Sequence, residues 1–306
     1  MVAIDRILCP VDLSSCSRTA LRHALALARW YEAKVTVLHV CRQVPVVDTA
    51  AAGLGAGIYT TPVLLTDVDR AAVEGRVAEF VATTPGADGV AVHVCEGTNV
   101  REEIVRQAED MAADLLVLGS HGLTGVKRLV LGSTAENVLR HAVTPVLIVP
   151  AHAAEAPASG VPFTRIVCAV DFEADSYRAL RYAFDLAQES DAQITLLHAV
   201  EMPVVHVGAE DLLFDLEATR QTVIGNARER LEALVPESAR AFCTVHAEVA
   251  EGQAHQAILR LAAEVDANLI VMGVRDRAAF DVAVFGSHAQ AVVREAQCPV
   301  LTVHQD

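Results

Sequence analysis

At 306 residues the chain is long enough for two domains of ordinary size, each with its own core. Its 53% hydrophobic content and mean hydropathy of +0.35 would suit a membrane protein, yet no run approaches the ~18 uninterrupted apolar residues a spanning helix needs. A net charge of −15 argues against a nucleic acid backbone as the main partner.

The apolar residues fall into short Val/Ile/Leu blocks alternating with Ala-rich stretches, the pattern of parallel strands buried on both faces. Met1 to Arg6 shows no charged start backed by a long apolar segment, so no secretory signal is visible and the cytoplasm is expected. The seven cysteines are scattered, with no CxxC or zinc-finger spacing, and read as small hydrophobes in a reducing compartment. Cys16 alone lies near an expected helix start, where a thiolate would be favoured.

In chain order, Ile7 to Asp12 is an apolar strand ending in an acid, with Ser14, Ser15 and Ser17 as candidate helix caps. Ala20 to Trp30 is helical by period, and Lys34 to Val40 is a second strand. Residues 41–66 hold Pro45, Pro62 and the patch Gly53-Leu-Gly-Ala-Gly57, and read as a mobile excursion. A helix over 66–83, a strand over 90–95 and a helix over 99–112 follow. The stretch Asp114 to Pro150 then gives strand, glycine-rich loop, helix and last strand. Such a loop aims unpaired backbone N–H groups at one place, where a helix N-terminus adds partial positive charge, so it suits an anion, most simply a phosphate.

The second half repeats the first. Ile166 to Asp171 matches Ile7 to Asp12 at an offset of 159, as does Leu197-His198 with Leu38-His39. Leu269 to Gly273 matches Leu115 to Gly119 at an offset of 154, as do Gly286-Ser287 with Gly132-Ser133. Two copies of one domain are therefore expected, 1–150 and 163–306, joined by a flexible linker at 151–162. Alternating strands and helices with right-handed crossovers predict a doubly wound parallel α/β sheet in each copy. Ligands of such sheets bind beyond the carboxyl ends of the strands where strand order reverses, which makes Asp12 and Gly119 the rims of a crevice. Residues 1–150 carry 16 acidic and 13 basic side chains against 23 and 11 in 151–306, so the halves present different fields.

Several familiar motifs are absent. There is no GxxxxGK[ST] loop, and Gly53 to Gly57 lacks the strand-turn-helix context of a dinucleotide fingerprint. Gly119-Ser-His-Gly122 is no nucleophile elbow, because position 118 is Leu. The histidines show no HExxH spacing, and Asp67 and Asp69 read as acids opening a helix rather than as metal ligands. No metal held by the protein alone and no catalytic residue is expected.

The spacing Gly119-x2-Gly122-x9-Gly132-Ser133, taken with GSHGLTGVKRLVLGSTAENVLRHAVTPVLIV and CPVDLS, resembles the universal stress protein family in its tandem form, over nearly the whole chain. The resemblance implies two five-stranded flavodoxin-like (adenine nucleotide alpha hydrolase-like) domains that bind ATP, alone or with Mg, and act in stress responses rather than as efficient catalysts. Carried over by position, it implies adenosine between Pro10, Val11, Asp12 and the backbone of Val40, and ribose near Gly119, with Ser120 and His121 beside it. Phosphates would lie on Gly122, Gly132, Ser133 and Thr134, with Lys127 and Arg128 bringing charge. The plainer reading of Ser133 is a capping box with Glu136, of Ser287 one with Gln290, and of Asp12 a helix cap.

In the second copy Asp171, Gly273, Gly286 and Ser287 keep the pattern, but Asp276 stands where the first has Gly122. It adds a negative charge where phosphate oxygens would lie; like charges ~4 Å apart repel by about 1 kcal/mol in water and more when buried. Arg275 and Arg277 soften this if they pair with Asp276, but are then less available to a nucleotide. The expectation is ATP in the first domain and little or none in the second. The apolar edges Val146 to Val149 and Val300 to Val303 predict an internal pseudo-dimer joined through them; a further homodimer is compatible with the sequence, although no motif specifies it. Two rivals stay open: a nucleotide-free scaffold or carrier of a small apolar ligand with 41–66 as its lid, and a weak ATPase using His121 and Asp12.

Overall fold

The structure, a computed structural model, describes residues 4–43, 45–47, 60–62, 66–122, 131–157, 161–202, 210–274 and 286–304. The first half runs β1 (Arg6–Pro10), α1 (Ser15–Tyr31), β2 (Lys34–Arg42), β3 (Pro45–Val47), β4 (Thr60–Pro62), α2 (Asp67–Ala82), β5 (Ala91–Gly97), α3 (Val100–Asp110), β6 (Leu115–Gly119), α4 (Ser133–His141) and β7 (Val146–Val149). The second runs β8 (Arg165–Ala169), α5 (Ala174–Ser190), β9 (Gln193–Val200), α6 (Glu210–Ala233), α7 (Glu237–Phe242), β10 (Thr244–Glu251), α8 (Ala254–Glu264), β11 (Leu269–Val274), α9 (Ser287–Glu295) and β12 (Val300–His304). Of the 41–66 stretch, β2 continues through Arg42 and β3 pairs antiparallel with β4; residues 44, 48–59 and 63–65 lie outside the described residues.

Ten strands form one sheet in the order β10-β9-β8-β11-β12-β7-β6-β1-β2-β5. Each half alone is parallel, with its strands in the order 3-2-1-4-5. The doubly wound, five-stranded expectation holds; the order differs from the 2-1-3-4-5 of flavodoxin and puts the reversal between β1 and β6, at the crevice expected from Asp12 and Gly119. The halves join where β7 and β12 pair antiparallel, Leu147 opposite Leu301 and Val146 opposite Thr302. Thr302 is fully buried, and its Oγ1 donates to the Val146 carbonyl at 3.2 Å.

Because successive strand residues point to opposite faces, apolar runs feed two cores at once. Ile7 and Cys9 pack with α1 and α2 residues such as Leu21 and Phe80, whereas Leu8 packs with Ile104 of α3 and Leu139 of α4. The same division continues into the second half, with Phe184 and Leu231 on the first face and Ile258 and Val292 on the second. Burial raises the thiol pKa of Cys9 and of Cys168 to about 12, in keeping with cysteines used as small hydrophobes. Cys16 is buried as well.

The repeat extends to the backbone. Left-handed residues recur in pairs: Leu13 (φ 67°) with Phe172 (62°), Glu32 (55°) with Asp191 (49°), and Ala112 (45°) with Asp266 (49°). Thr66 and Asp69 form the capping box that starts α2, which accounts for the acids at that helix start. Among the described residues, no helix is long and apolar enough to cross a membrane, and no group of three or more His, Cys, Asp or Glu could hold a metal.

Candidate functional site

A cavity of about 490 Å³ lies beyond the carboxyl ends of β1, β2 and β6. Pro10, Val11 and Asp12 line it from β1 and the turn after it, Val40 from β2, Gly119 to Gly122 from the end of β6, and Gly132, Ser133 and Thr134 from the start of α4. These are eleven of the thirteen positions that the glycine spacing and the resemblance pointed to; Lys127 and Arg128 lie outside the described residues. Arg42, His39, Val100 and Ile104 also line the cavity, and sequence reasoning missed them. His39 left a trace in the sequence, since the Leu-His pair recurs at 197–198.

Asp12 opens the turn into α1. Its Oδ1 accepts the Ser14 N–H at 3.0 Å, and Ser14, the N-cap, accepts the Ser17 N–H at 3.1 Å. The N-cap of α1 is thus the serine two residues on from Asp12. His39 Nδ1 donates to the Val11 carbonyl at 2.8 Å, tying the end of β2 to that of β1 and fixing where this ring carries a proton.

The fourth-strand loop is held at both ends. Ser120 N–H donates to Val149 O and Gly132 N–H to Ser120 O, at 2.9 and 2.8 Å. Ser120 Oγ meets His121 Nδ1 at 2.7 Å, and burial, then the neighbouring His152, lowers the His121 pKa. A Cβ at 119 would stand 2.7 Å from Cys16 Sγ, so this glycine is required by the close approach of α1. Its lack of a side chain serves packing first, rather than ligand approach alone. A Cβ at 122 would stand 2.6 Å from Asp12 Oδ2.

The expected capping boxes do not form. The N-cap of α4 is Gly132, with no side-chain cap bond, and Ser133 is one residue inside the helix. Glu136 instead bonds Arg140 at 2.7 Å and accepts from Gln290 Nε2 of α9 at 3.1 Å, across the two halves. Gly286 likewise begins α9 without a side-chain cap. Helix starts without side-chain caps leave N–H donors and positive potential at the cavity, the chemistry of an anion site.

A second cavity of about 460 Å³ repeats the first, lined among others by Asp171, Gly273, Gly286 and Ser287. His198 Nδ1 donates to Val170 O at 2.7 Å, as His39 does to Val11. A Cβ at Gly273 would collide with the Asp175 carbonyl, so α5 also packs on its strand through a glycine. Asp276, with Arg275 and Arg277, lies outside the described residues.

The model of the universal stress protein family matches residues 3–150 and 162–304. A universal stress protein of Mycolicibacterium smegmatis is 27% identical over 97% of this chain and 96% of its own length. One from Methanocaldococcus jannaschii is 35% identical over 47% of this chain and 81% of its own. The crystal structure of a universal stress protein from Archaeoglobus fulgidus shares the fold with a TM-score of 0.65 at 21% identity, covering 99% of both chains. With two matches that together span nearly its whole length, the chain belongs to the universal stress protein family, in the form that carries two copies of the domain in tandem.

Proposed function

We propose that this chain is an ATP-binding stress or signalling protein of the cytoplasm, in which nucleotide occupancy of the first domain, residues 1–150, sets a conformation that partners read. The observation that carries this is the start of α4. Its N-cap is a glycine without a side-chain cap bond, and Ser133 and Thr134 stand at the cavity with it. Donors left open there, together with the helix dipole, suit phosphate oxygens. Arg42 on the cavity wall adds a cation, and Lys127 and Arg128 would add two more.

Adenosine would use the walls formed by Pro10, Val11, Asp12 and the Val40 backbone, with ribose near Gly119. About 490 Å³ falls within the usual range of small-ligand pockets. Mg would arrive with the phosphates. The second domain, 163–306 after the linker at 151–162, would hold ATP weakly or not at all, and the two would work as an internal pseudo-dimer about the β7–β12 seam.

The test is retention of ATP or ADP through purification, read by absorbance ratio and chromatography, followed by equilibrium dialysis with ATP and Mg²⁺. One nucleotide per chain is expected. Neither retention nor binding at millimolar ATP would end this reading in favour of the nucleotide-free carrier.

A further inference from the structure

The two cavities differ in a patterned way. Their inner walls share Leu38 and Leu197, His39 and His198, and Ile104 and Ile258, while Val40, Val100 and Leu118 become Ala199, Ala254 and Met272. The histidine-to-carbonyl bond repeats with them, at 2.8 and 2.7 Å. The volumes are nearly equal, about 490 and 460 Å³. The shared residues and the similar volumes leave room for a planar ring against the histidine in both copies.

The polar end is different. Arg42 of the first cavity becomes Glu201 at the same offset of 159, and Ser120 and Thr134 become Val274 and His288 at 154. Glu201 Oε1 accepts the Ala254 N–H at 3.2 Å, covering a donor at the start of α8, and lies 3.5 Å from His288 Nε2. On its other side His288 meets His255, Nδ1 to Nδ1 at 3.2 Å. Glu201 thus stands behind the lining residues Ala254 and His288, so a carboxylate lies beside the second cavity where a guanidinium lines the first, and the Ser120 hydroxyl gives way to Val274. Both changes oppose an anion and neither narrows the inner pocket.

We propose that the second cavity is a separate binding site for an unphosphorylated nucleoside, with the base against His198 and the inner wall and the sugar toward His288. This rests on reading the first cavity as an adenine nucleotide site. The chain would then sense two species at once, a nucleotide in one half and its phosphate-free counterpart in the other, with Glu201 and Arg42 setting the preference.

Met272 lines the second cavity and is one of four methionines in the chain. In full-length protein labelled with ¹³C-methyl methionine, the Met272 signal, assigned with Met272→Leu, therefore reports on this site. Titration with adenosine is expected to shift the Met272 methyl saturably, and ATP to need at least a tenfold higher concentration for the same shift. In Ala199→Leu, which fills the cavity, the adenosine response is expected to vanish while ATP still binds the chain in dialysis. No Met272 shift at millimolar adenosine, an equal response to ATP, or a response that survives Ala199→Leu would each overturn the proposal. Dialysis of ATP against the wild-type chain judges the first cavity independently of that signal, so failure of either reading is recognised separately.

Discussion

Gly122 and Asp12 share one narrow gap: a Cβ on the first would stand 2.6 Å from Oδ2 of the second, while Oδ1 of the same carboxylate holds the Ser14 N–H at 3.0 Å. A side chain at 122 must push the Asp12 carboxylate aside, and with it the bond that carboxylate makes to Ser14. Gly122→Asp adds a like charge to the collision and is expected to abolish ATP retention. Gly122→Ala, with the steric part alone, is expected to weaken ATP binding about tenfold and, at an exposed position, to cost no more than about 0.5 kcal/mol of stability. Dialysis and urea unfolding measure the two. Unchanged ATP binding in Gly122→Asp would remove the phosphates from this loop.

Gly119 and Cys16 make the corresponding contact on the core side. A Cβ at 119 meets Sγ at 2.7 Å and the Cys16 carbonyl carbon at 3.1 Å. Gly119→Ala is expected to destabilise by about 1–3 kcal/mol through overpacking. Adding Cys16→Ala should recover part of that loss, because it removes the sulfur but not the backbone contact. A double-mutant cycle checks this, with a coupling above about 0.5 kcal/mol expected for touching residues.

These two glycines show how far the sequence could be read. The glycine spacing and the repeat identified the loop and the cavity wall, because strand ends and helix starts leave local signatures. The reason for Gly119 was hidden, since its partner lies 103 residues earlier and meets it only once α1 packs on β6. The plainer reading of Ser133, as a cap, rests on Ser followed by Glu three residues on, which is a capping pattern. The helix in fact starts at Ser133 itself, a shift of one residue that moves the cap to Gly132 and frees Glu136 to meet Gln290 in the other half. Arg42 was hidden because the second strand is expected to end at Val40, whereas β2 runs to Arg42 and carries it onto the cavity wall.

The seam between the halves is buried. Leu147 and Leu301 face each other across the antiparallel pair, 1% and 4% exposed. Leu147→Asp would put a carboxylate among apolar neighbours, and a loss of about 3–5 kcal/mol is expected for a buried charge left unpaired. Chemical denaturation measures the loss. Size-exclusion chromatography should show new association through the loosened edge strands.

Glu32 closes α1 in the left-handed conformation, φ 55°, and is exposed. A side chain there costs about 1–2 kcal/mol that glycine avoids. Glu32→Gly is therefore expected to raise the melting temperature, with a gain of about 1 kcal/mol and no change in nucleotide binding. Differential scanning calorimetry with and without ATP would show both.

His23 supplies the pH dependence. It is 7% exposed in α1, its Nδ1 donates to the Thr19 carbonyl at 3.0 Å, and burial lowers its pKa despite that bond. A free histidine titrates near 6.5. Above that pH both folded and unfolded chains hold the ring neutral, and the stability is whole. As pH falls through about 6.5 the unfolded chain takes up a proton that the folded one refuses, so stability falls, by at most about 1.4 kcal/mol per pH unit for one group, until the lowered folded pKa is passed. His121, lowered by burial and by His152, adds to the same trend. Urea unfolding at pH 7.5, 6.5 and 5.5 should show stability decreasing with acidity, and His23→Gln, with no ring to protonate, should flatten the slope between 6.5 and 5.5. An unchanged slope in His23→Gln would mean that His23 takes up its proton equally well in the folded chain.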